Sequence, residues 1–556
     1  MKSLEKLIAI ALLAMCLAPT AVAKPEPIAL VLAGGGARGI AHVGAIAALE
    51  ELQVPVAGIA GTSMGALVGG LYATGMSPDE LKTVVDNMDW DRAFKDSVDR
   101  DALPPRRKSE DYDYPSAISV AFQDGRFSVP LGLVQGQQVR QMIKDLMRNV
   151  EHIRDFDDLP TPYRAVATDI ETGEAYVFEE GDLVTAMRAS MSLPALLAPV
   201  EHDGRLLVDG GLAMNIPVEV GRAVGGERLI VVDIGTPLRT REEITSVLGV
   251  TDQLLNFLTR RNSLEQLALL GEGDILINPD LNGIGMLDFQ DTEAIFQAGY
   301  LATMALREQL AGLALDDADW AAHIASRALE VPMDPVIDHI AIVNDSPVRD
   351  ELIRVRLSQK VGEPLDRAQL GRDLDKVYAL DHWEIIDYEV LEDKELGDVL
   401  QVNAQAKSWG TDRLKFGMNL VTDLEGSSDI NIGASYLWKG LTDLGGELYG
   451  RGQIGDTILF SGEFYQPLDV RSRFFVVPSL GYIDYDTTTL GPEFSFTDPA
   501  GNWRVRRLTA QFDGGMNLFD STQARLGLFY EIGEFRPDIE IGGELPDGSY
   551  SCLLYT

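Results

Sequence analysis

Two strand-turn-helix units lie within fewer than fifty residues, IALVLAGGGARGIAHVGAIAALEELQVPVAGIAGTSMGALVGGLYA from Ile28 to Ala73, and few folds can hold that arrangement. Ile28 to Ala33 is a short apolar run that reads as a buried strand, followed by the turn Gly34-Gly35-Gly36-Ala37-Arg38-Gly39 and a helix over 40–53. Three glycines let backbone N–H groups converge, and the helix N-terminus adds partial positive charge. The turn is therefore an anion site, for a phosphate or for a developing oxyanion. Val56 to Ala60 is again strand-like and ends in Gly61-Thr62-Ser63-Met64-Gly65, with a helix over 64–72. In this GxSxG pattern the flanking glycines permit a tight strand-to-helix turn that holds the serine oxygen clear of its own backbone. Gly65, Gly69 and Gly70 fall on or near one helix face. Each costs about 1 kcal/mol against alanine in a helix, which predicts close approach of that helix to the sheet.

A third piece lies far downstream, where Leu206 to Val208 ends at Asp209-Gly210-Gly211. Asp-Gly alone reads as a hairpin turn. In this order, however, the glycine turn, the serine elbow and the Asp-Gly-Gly set resemble the patatin-like phospholipases. Ala167-Thr168-Asp169 with Thr172-Gly173-Glu174, and Ala186-Met187-Arg188-Ala189-Ser190 with Leu193-Pro194, look like supporting blocks of that family. The resemblance covers about Lys24 to Leu310. It implies a three-layer α/β domain and hydrolysis of lipid acyl esters by a Ser-Asp dyad. Ser63 is then the nucleophile and Asp209 the proton acceptor. Gly34, Gly35, Gly36, Ala37, Arg38 and Gly39 supply the oxyanion hole, Gly61 and Gly65 the elbow, and Gly210 and Gly211 the turn after the aspartate. No metal and no cofactor is called for. His42 and His202 compete for the base of a conventional triad, and structural roles are expected for both. Arg38 is expected to brace the turn rather than meet a lipid phosphate. Asp280 and Asp288 read as solvated loop residues.

At 556 residues the chain is too long for a single core. Its formal charge of −39 excludes a nucleic-acid footprint and argues against electrostatic recruitment to anionic lipid, so membrane contact must be apolar. Lys2 and Lys6 precede the apolar run Leu7 to Leu17, and Ala21-Val22-Ala23 follows, which reads as a secretory signal peptide over 1–23. Cys16 lies inside it, leaving Cys552 as the one thiol of the processed chain and no intramolecular disulfide. The polar, Pro-containing stretch Ser77 to Pro130 reads as a lid or as an irregular connection on the sheet edge. Leu131, Leu133 and Val134 are candidates for an acyl groove.

Beyond Ile230 the alternation of strand and helix resumes and completes the α/β domain, taken as 24–312, and the Pro-marked segment 313–335 reads as a linker. Val336 to Val343 is strand-like, Ser346 to Lys360 and Asp366 to Ala379 helical, Trp383 to Leu391 and Val399 to Ala406 strands. This small α+β pattern over 336–408 resembles a POTRA domain. After Trp409 the period becomes two: Leu414, Phe416, Met418 and Leu420 alternate with Lys415, Gly417 and Asn419, and Leu508, Ala510 and Phe512 with Thr509, Gln511 and Asp513. Long strands with one apolar and one polar face describe an antiparallel transmembrane β-barrel over 409–556. The whole order resembles the type Vd autotransporters, which carry a lipase across the outer membrane and place it at the cell surface. It implies a lipid substrate, the outer membrane and the barrel-assembly machinery as partners, allows a homodimer, and involves no nucleic acid. Only seven to nine strands can be counted, against about sixteen in the related barrels, so the barrel is expected to be partial. The competing reading is an outer-membrane secretion or assembly pore whose N-terminal domain binds phosphate without catalysis.

Overall fold

The structure is a computed structural model of the full chain, and it describes residues 27–109, 121–123, 126–235, 238, 240–242, 244–245, 247–329, 332–422, 428–487, 503–518, 522–537 and 548–555. The stretch read as a signal peptide, with Cys16, lies outside the described residues. The chain divides into two compact units: 1–88, 149–191 and 201–330 form the first, and 89–148, 192–200 and 331–556 the second.

The first unit is built on a mixed sheet. The strands and helices that frame its central part are, in chain order, β1 (Ile28–Leu32), α1 (Ile40–Glu51), β2 (Gly58–Thr62), α2 (Met64–Ala73), β3 (Tyr163–Asp169), α3 (Leu183–Ser190), β4 (Arg205–Asp209), β5 (Arg228–Val232) and β6 (Ile275–Ile277). The order across the sheet is β6-β5-β1-β2-β3-β4, continued at the β4 edge by Val200–His202, while Ala175–Phe178 also pairs with β3. The pairs from β6 to β3 are parallel, and β4 runs antiparallel to β3. Every residue of β1 and β2 is buried, as continuous apolar runs covered on both faces require. Predicted helix ends hold within two residues for α1 and α2. Further on, the helix Thr292–Met304 is followed by a short one, Arg307–Leu310. The polar stretch after Ser77 begins as a regular helix, Pro78–Asn87, with a complete Ser77/Glu80 capping box.

In the second unit, His339–Asn344, Glu351–Arg354, Arg367–Tyr378, Trp383–Asp393 and Gly397–Ala406 reproduce the expected strand-helix-helix-strand-strand order. Gly397–Ala406 is the central strand, parallel to the first and antiparallel to Trp383–Asp393. Trp383, Leu352, Leu370, Leu374, Leu400 and Val402 form its core. The first helix is a single turn rather than the predicted run over 346–360. The Asn344 side chain holds the Ser346 amide and the Val348 carbonyl in a turn where that helix would have begun. Among the described residues eight antiparallel strands follow from Arg413 to Tyr555, each paired with its neighbours in sequence. Their alternation is inverted relative to a water-soluble sheet. Phe416, Met418, Leu420, Leu508, Phe512, Leu526, Leu528 and Ile532 are exposed, whereas Asn431, Ser435 and Asp513 are buried. Among the described residues no helix is long and apolar enough to cross a membrane. Leu131 and Leu133 are exposed and Val134 is buried, on a short strand that pairs with Ala195–Leu197 in this same unit.

Candidate active site

Strand β3 acts as a ruler for the site. It pairs with β2 so that Thr62 faces Val166, and with β4 so that Asp209 faces Ala167, the next residue along. Ser63 is the residue after Thr62, so two side chains separated by 146 positions emerge one step apart at the same sheet end. The Ser63 hydroxyl donates to Asp209 Oδ2 at 2.7 Å.

Ser63 adopts φ 53°, ψ −123° and opens α2. A side-chain-bearing residue at positive φ is strained, which the surrounding glycines and hydrogen bonds must hold in place. A Cβ on Gly61 would stand 2.4 Å from the Gly65 carbonyl oxygen, and one on Gly65 2.3 Å from that of Leu32. A Cβ on Gly69 would meet Ile59, and one on Gly70 would overlap Met187, so the helix packs onto its neighbours at a distance only glycine allows. The Ser63 amide donates to Ser190 Oγ at 2.8 Å, and Ser190 Oγ in turn donates to the Val166 carbonyl at 2.5 Å. Ser190 is fully buried, so this bridge ties the elbow to the ruler strand. Sequence reasoning flagged the Ala186 to Ser190 block without giving Ser190 that task.

Asp209 is buried, and its second carboxylate oxygen accepts the Gly211 amide at 2.8 Å. Burial pushes its carboxyl up to about 6, with the bonds from Ser63 and Gly211 pulling the other way. Gly210 lies against the Val166 carbonyl, where a Cβ would come to 2.1 Å. Thr168 Oγ1 donates to the Asp209 carbonyl and accepts the Ala213 amide, fixing the turn behind the carboxylate.

The glycine turn sits beside the serine: a Cβ on Gly34 would be 3.1 Å from Ser63 Cβ. Its six residues are not equivalent. The Gly34 amide donates to the Asn215 carbonyl and the Ala37 amide to that of Met286. Gly35 and Gly36 are partly exposed, as Ser63 is, while Gly34, Ala37, Arg38 and Gly39 are buried. The amides of Gly35 and Gly36 have no partner among the described residues. Gly36 takes φ +59° over the Met286 carbonyl, a conformation and a clearance that exclude a side chain. The buried Arg38 guanidinium donates to the carbonyls of Ile234, Leu281, Ile284 and Gly235 and so ties the turn to two loops.

Neither histidine touches the pair. His42 is fully buried, and its Nε2 lies 2.8 Å from the Ala33 carbonyl, to which it donates. Burial pushes it down to about 4, so it is neutral at ordinary pH. His202 packs on Tyr176 and Phe178 and faces Asp203 at 3.6 Å. Asp280 caps Asn282 and Asp288 the Gly285 amide, both in exposed loops. Among the described residues no group of three or more His, Cys, Asp or Glu side chains could hold a metal ion.

A serine held in a strained strand-to-helix turn, hydrogen-bonded to a buried carboxylate and flanked by unpaired amides, is an arrangement suited to nucleophilic acyl chemistry on an α/β scaffold. Residues 30–221 match the family described as patatin-like phospholipase, and the chain carries a domain of that family. An uncharacterised NTE family protein of Mycobacterium tuberculosis is 34% identical over 240 residues, 42% of this chain and 56% of that one. Human patatin-like phospholipase domain-containing protein 6 is 34% identical over 211 residues, 38% of this chain and 13% of that one. The chain thus spans about half the length of the mycobacterial relative and far less of the human one. Among solved structures, BamA from Haemophilus ducreyi lacking POTRA domains 1-3 overlaps 41% of this chain and 44% of its own. The TM-score of that overlap is 0.32, at 14% identity.

Proposed function

We propose that the first unit is a serine lipid acyl hydrolase of phospholipase A or lipase type, with Ser63 as nucleophile and Asp209 as the base. The 2.7 Å bond between Ser63 Oγ and Asp209 Oδ2 carries this reading. Ser63 Oγ attacks the ester carbonyl while its proton passes to Asp209. The tetrahedral oxyanion is met by the free amides of the Gly34 to Gly39 turn, above all Gly35 and Gly36. Collapse expels the alcohol, which takes the proton from Asp209, and leaves an acyl-Ser63 ester. Water then attacks that ester with Asp209 again accepting a proton, and the fatty acid departs as Ser63 is restored. An ordinary aspartate near 4 is a feeble base for a hydroxyl; a carboxyl raised to about 6 by burial is better matched to the task and still ionised at neutral pH.

The second unit is read as the export device. The strand-helix-helix-strand-strand domain serves as a POTRA module and the eight-stranded sheet as part of an outer-membrane barrel, in the manner of a type Vd autotransporter. Support comes from the apolar face that the sheet leaves exposed and the polar one it buries, the reverse of a soluble sandwich. A fluorophosphonate probe tests the hydrolase: labelling of the full chain that disappears in Ser63→Ala upholds it. Absence of labelling under conditions that label a control lipase sinks it in favour of the phosphate-binding alternative. A lipid panel with product positions determined would then define the ester cleaved.

A further inference from the structure

A second site of different chemistry lies in the C-terminal unit. A cavity of about 370 Å³ opens where the segment Ala102 to Arg107, the helix Arg367–Tyr378 and the short connections of the eight-stranded sheet meet. Six basic side chains line it, Arg106, Arg107, Arg356, Lys376, Arg471 and Arg473, against the one carboxylate of Glu447. In a chain of net charge −39 so concentrated a positive patch is conspicuous. Its charge is only partly answered from within. Arg106 and Arg107 pair with Glu447, Arg106 also with Glu463 at 2.7 Å, and Arg473 lies 3.4 Å from Asp469. The Lys376 ammonium and the Arg471 guanidinium have no acceptor among the described residues. Behind the wall Asp381 meets Lys407, Arg413 and Lys439. His382 in the wall is held down to about 3, first by burial and then by Lys439 and Arg107, so it adds no charge of its own.

We infer that this cavity binds a phosphate ester. Five of its six cations are arginines, whose planar forks suit phosphate oxygens in pairs. Leu468 and Phe474 stand exposed on either side of the Arg471–Arg473 turn, so an amphiphile could lay its chains on the apolar face and bring its headgroup to the cations. A phospholipid headgroup and a free phosphate ester share this chemistry. The site is independent of the hydrolase reading, because none of its residues belongs to the Ser63 unit.

The test uses the full chain in neutral detergent, with native mass spectrometry counting retained phosphatidylglycerol and with glycerol phosphate as a soluble competitor. Lys376→Gln with Arg471→Gln removes the two cations that hold no internal partner. Each lost charged contact should weaken binding about tenfold or more. The control Lys360→Gln with Lys394→Gln removes the same charge from exposed positions outside the cavity and should bind as wild type does. Retention lost only in the cavity variant supports the site. Displacement by glycerol phosphate then marks a free ester as a ligand, and resistance to it marks the lipid. Equal retention by both double variants, or no binding of either probe by wild type, overturns the inference.

Discussion

Replacing Asp209 with asparagine should abolish hydrolysis and make the first unit more stable, by an amount that depends on pH in a defined way. The carboxyl titrates near 6 in the folded protein against 3.8 in its ordinary state, a gap of about two units and hence about 3 kcal/mol. The sign follows from proton binding. Between pH 4 and 6 the folded chain holds a proton that the unfolded chain has released, so stability falls as pH rises and levels off above 6. Asparagine has no such dependence. Wild type and variant should therefore diverge across this window, the variant gaining about 3 kcal/mol, or about 6–12 °C in thermal midpoint for a unit of this size. Absolute curves will hide the effect. His42, held at about 4 against 6.5, binds its proton more readily when unfolded and loses about 3 kcal/mol as pH falls through the same range. The two slopes oppose each other, and subtraction of variant from wild type isolates Asp209. A constant difference from pH 4 to 8 would refute the raised carboxyl and, with it, the account of Asp209 as a base matched to serine. Activity of the wild type should rise through about pH 6 and then hold.

Other outcomes follow from the same geometry. Ser190→Ala strands the Ser63 amide and the Val166 carbonyl, so kcat should fall by about 10²-fold with KM little changed, together with about 1–3 kcal/mol of stability. An unaltered kcat would show that the elbow holds without that bridge. Gly65→Ala drives a methyl to 2.3 Å from the Leu32 carbonyl in a central strand, and a loss at or beyond about 3 kcal/mol is expected by thermal unfolding. His202→Ala should leave ester hydrolysis close to wild type, whereas a true base would lose about 10²–10⁴-fold. A defect equal to that of Asp209→Ala would replace the dyad with a triad.

The site was legible in the sequence where a motif has only one physical use. Gly61, Ser63 and Gly65 announce a turn with no room for side chains, and Gly69 and Gly70 announced the close approach now seen against Ile59 and Met187. What the motif could not say is which amides are free. Gly34 and Ala37 donate to Asn215 and Met286, and both partners come from segments more than 150 residues away whose approach leaves no local trace. The task of Ser190 was hidden for the same reason. The helix Pro78–Asn87, by contrast, was readable from Ser77-Pro78-Asp79-Glu80, a capping box with proline at the first turn, inside a stretch whose polarity suggested a lid or loop. Nor did polarity reveal that the chain from Asp89 to Arg148 clusters with the C-terminal unit. That depends on long-range partners such as Gln137, which bonds the Ile386 backbone at both ends of its amide.

The deepest dependence of the chemistry is on strand register. Ser63 follows β2 and Asp209 ends β4, two strands not paired with each other; both are aligned by their bonds to β3. A slip of one residue in the β3–β4 pairing would turn the Asp209 side chain to the opposite face, and one in the β2–β3 pairing would shift the Ser63 elbow along β3; either would leave Ser63 without its partner. What prevents the slip is not the site itself, because one hydrogen bond is worth about 1 kcal/mol net. It is the apolar fit of the ruler, where Tyr163, Ala165, Val166 and Ala167 are fully buried and Gly210 leaves no space beside the Val166 carbonyl.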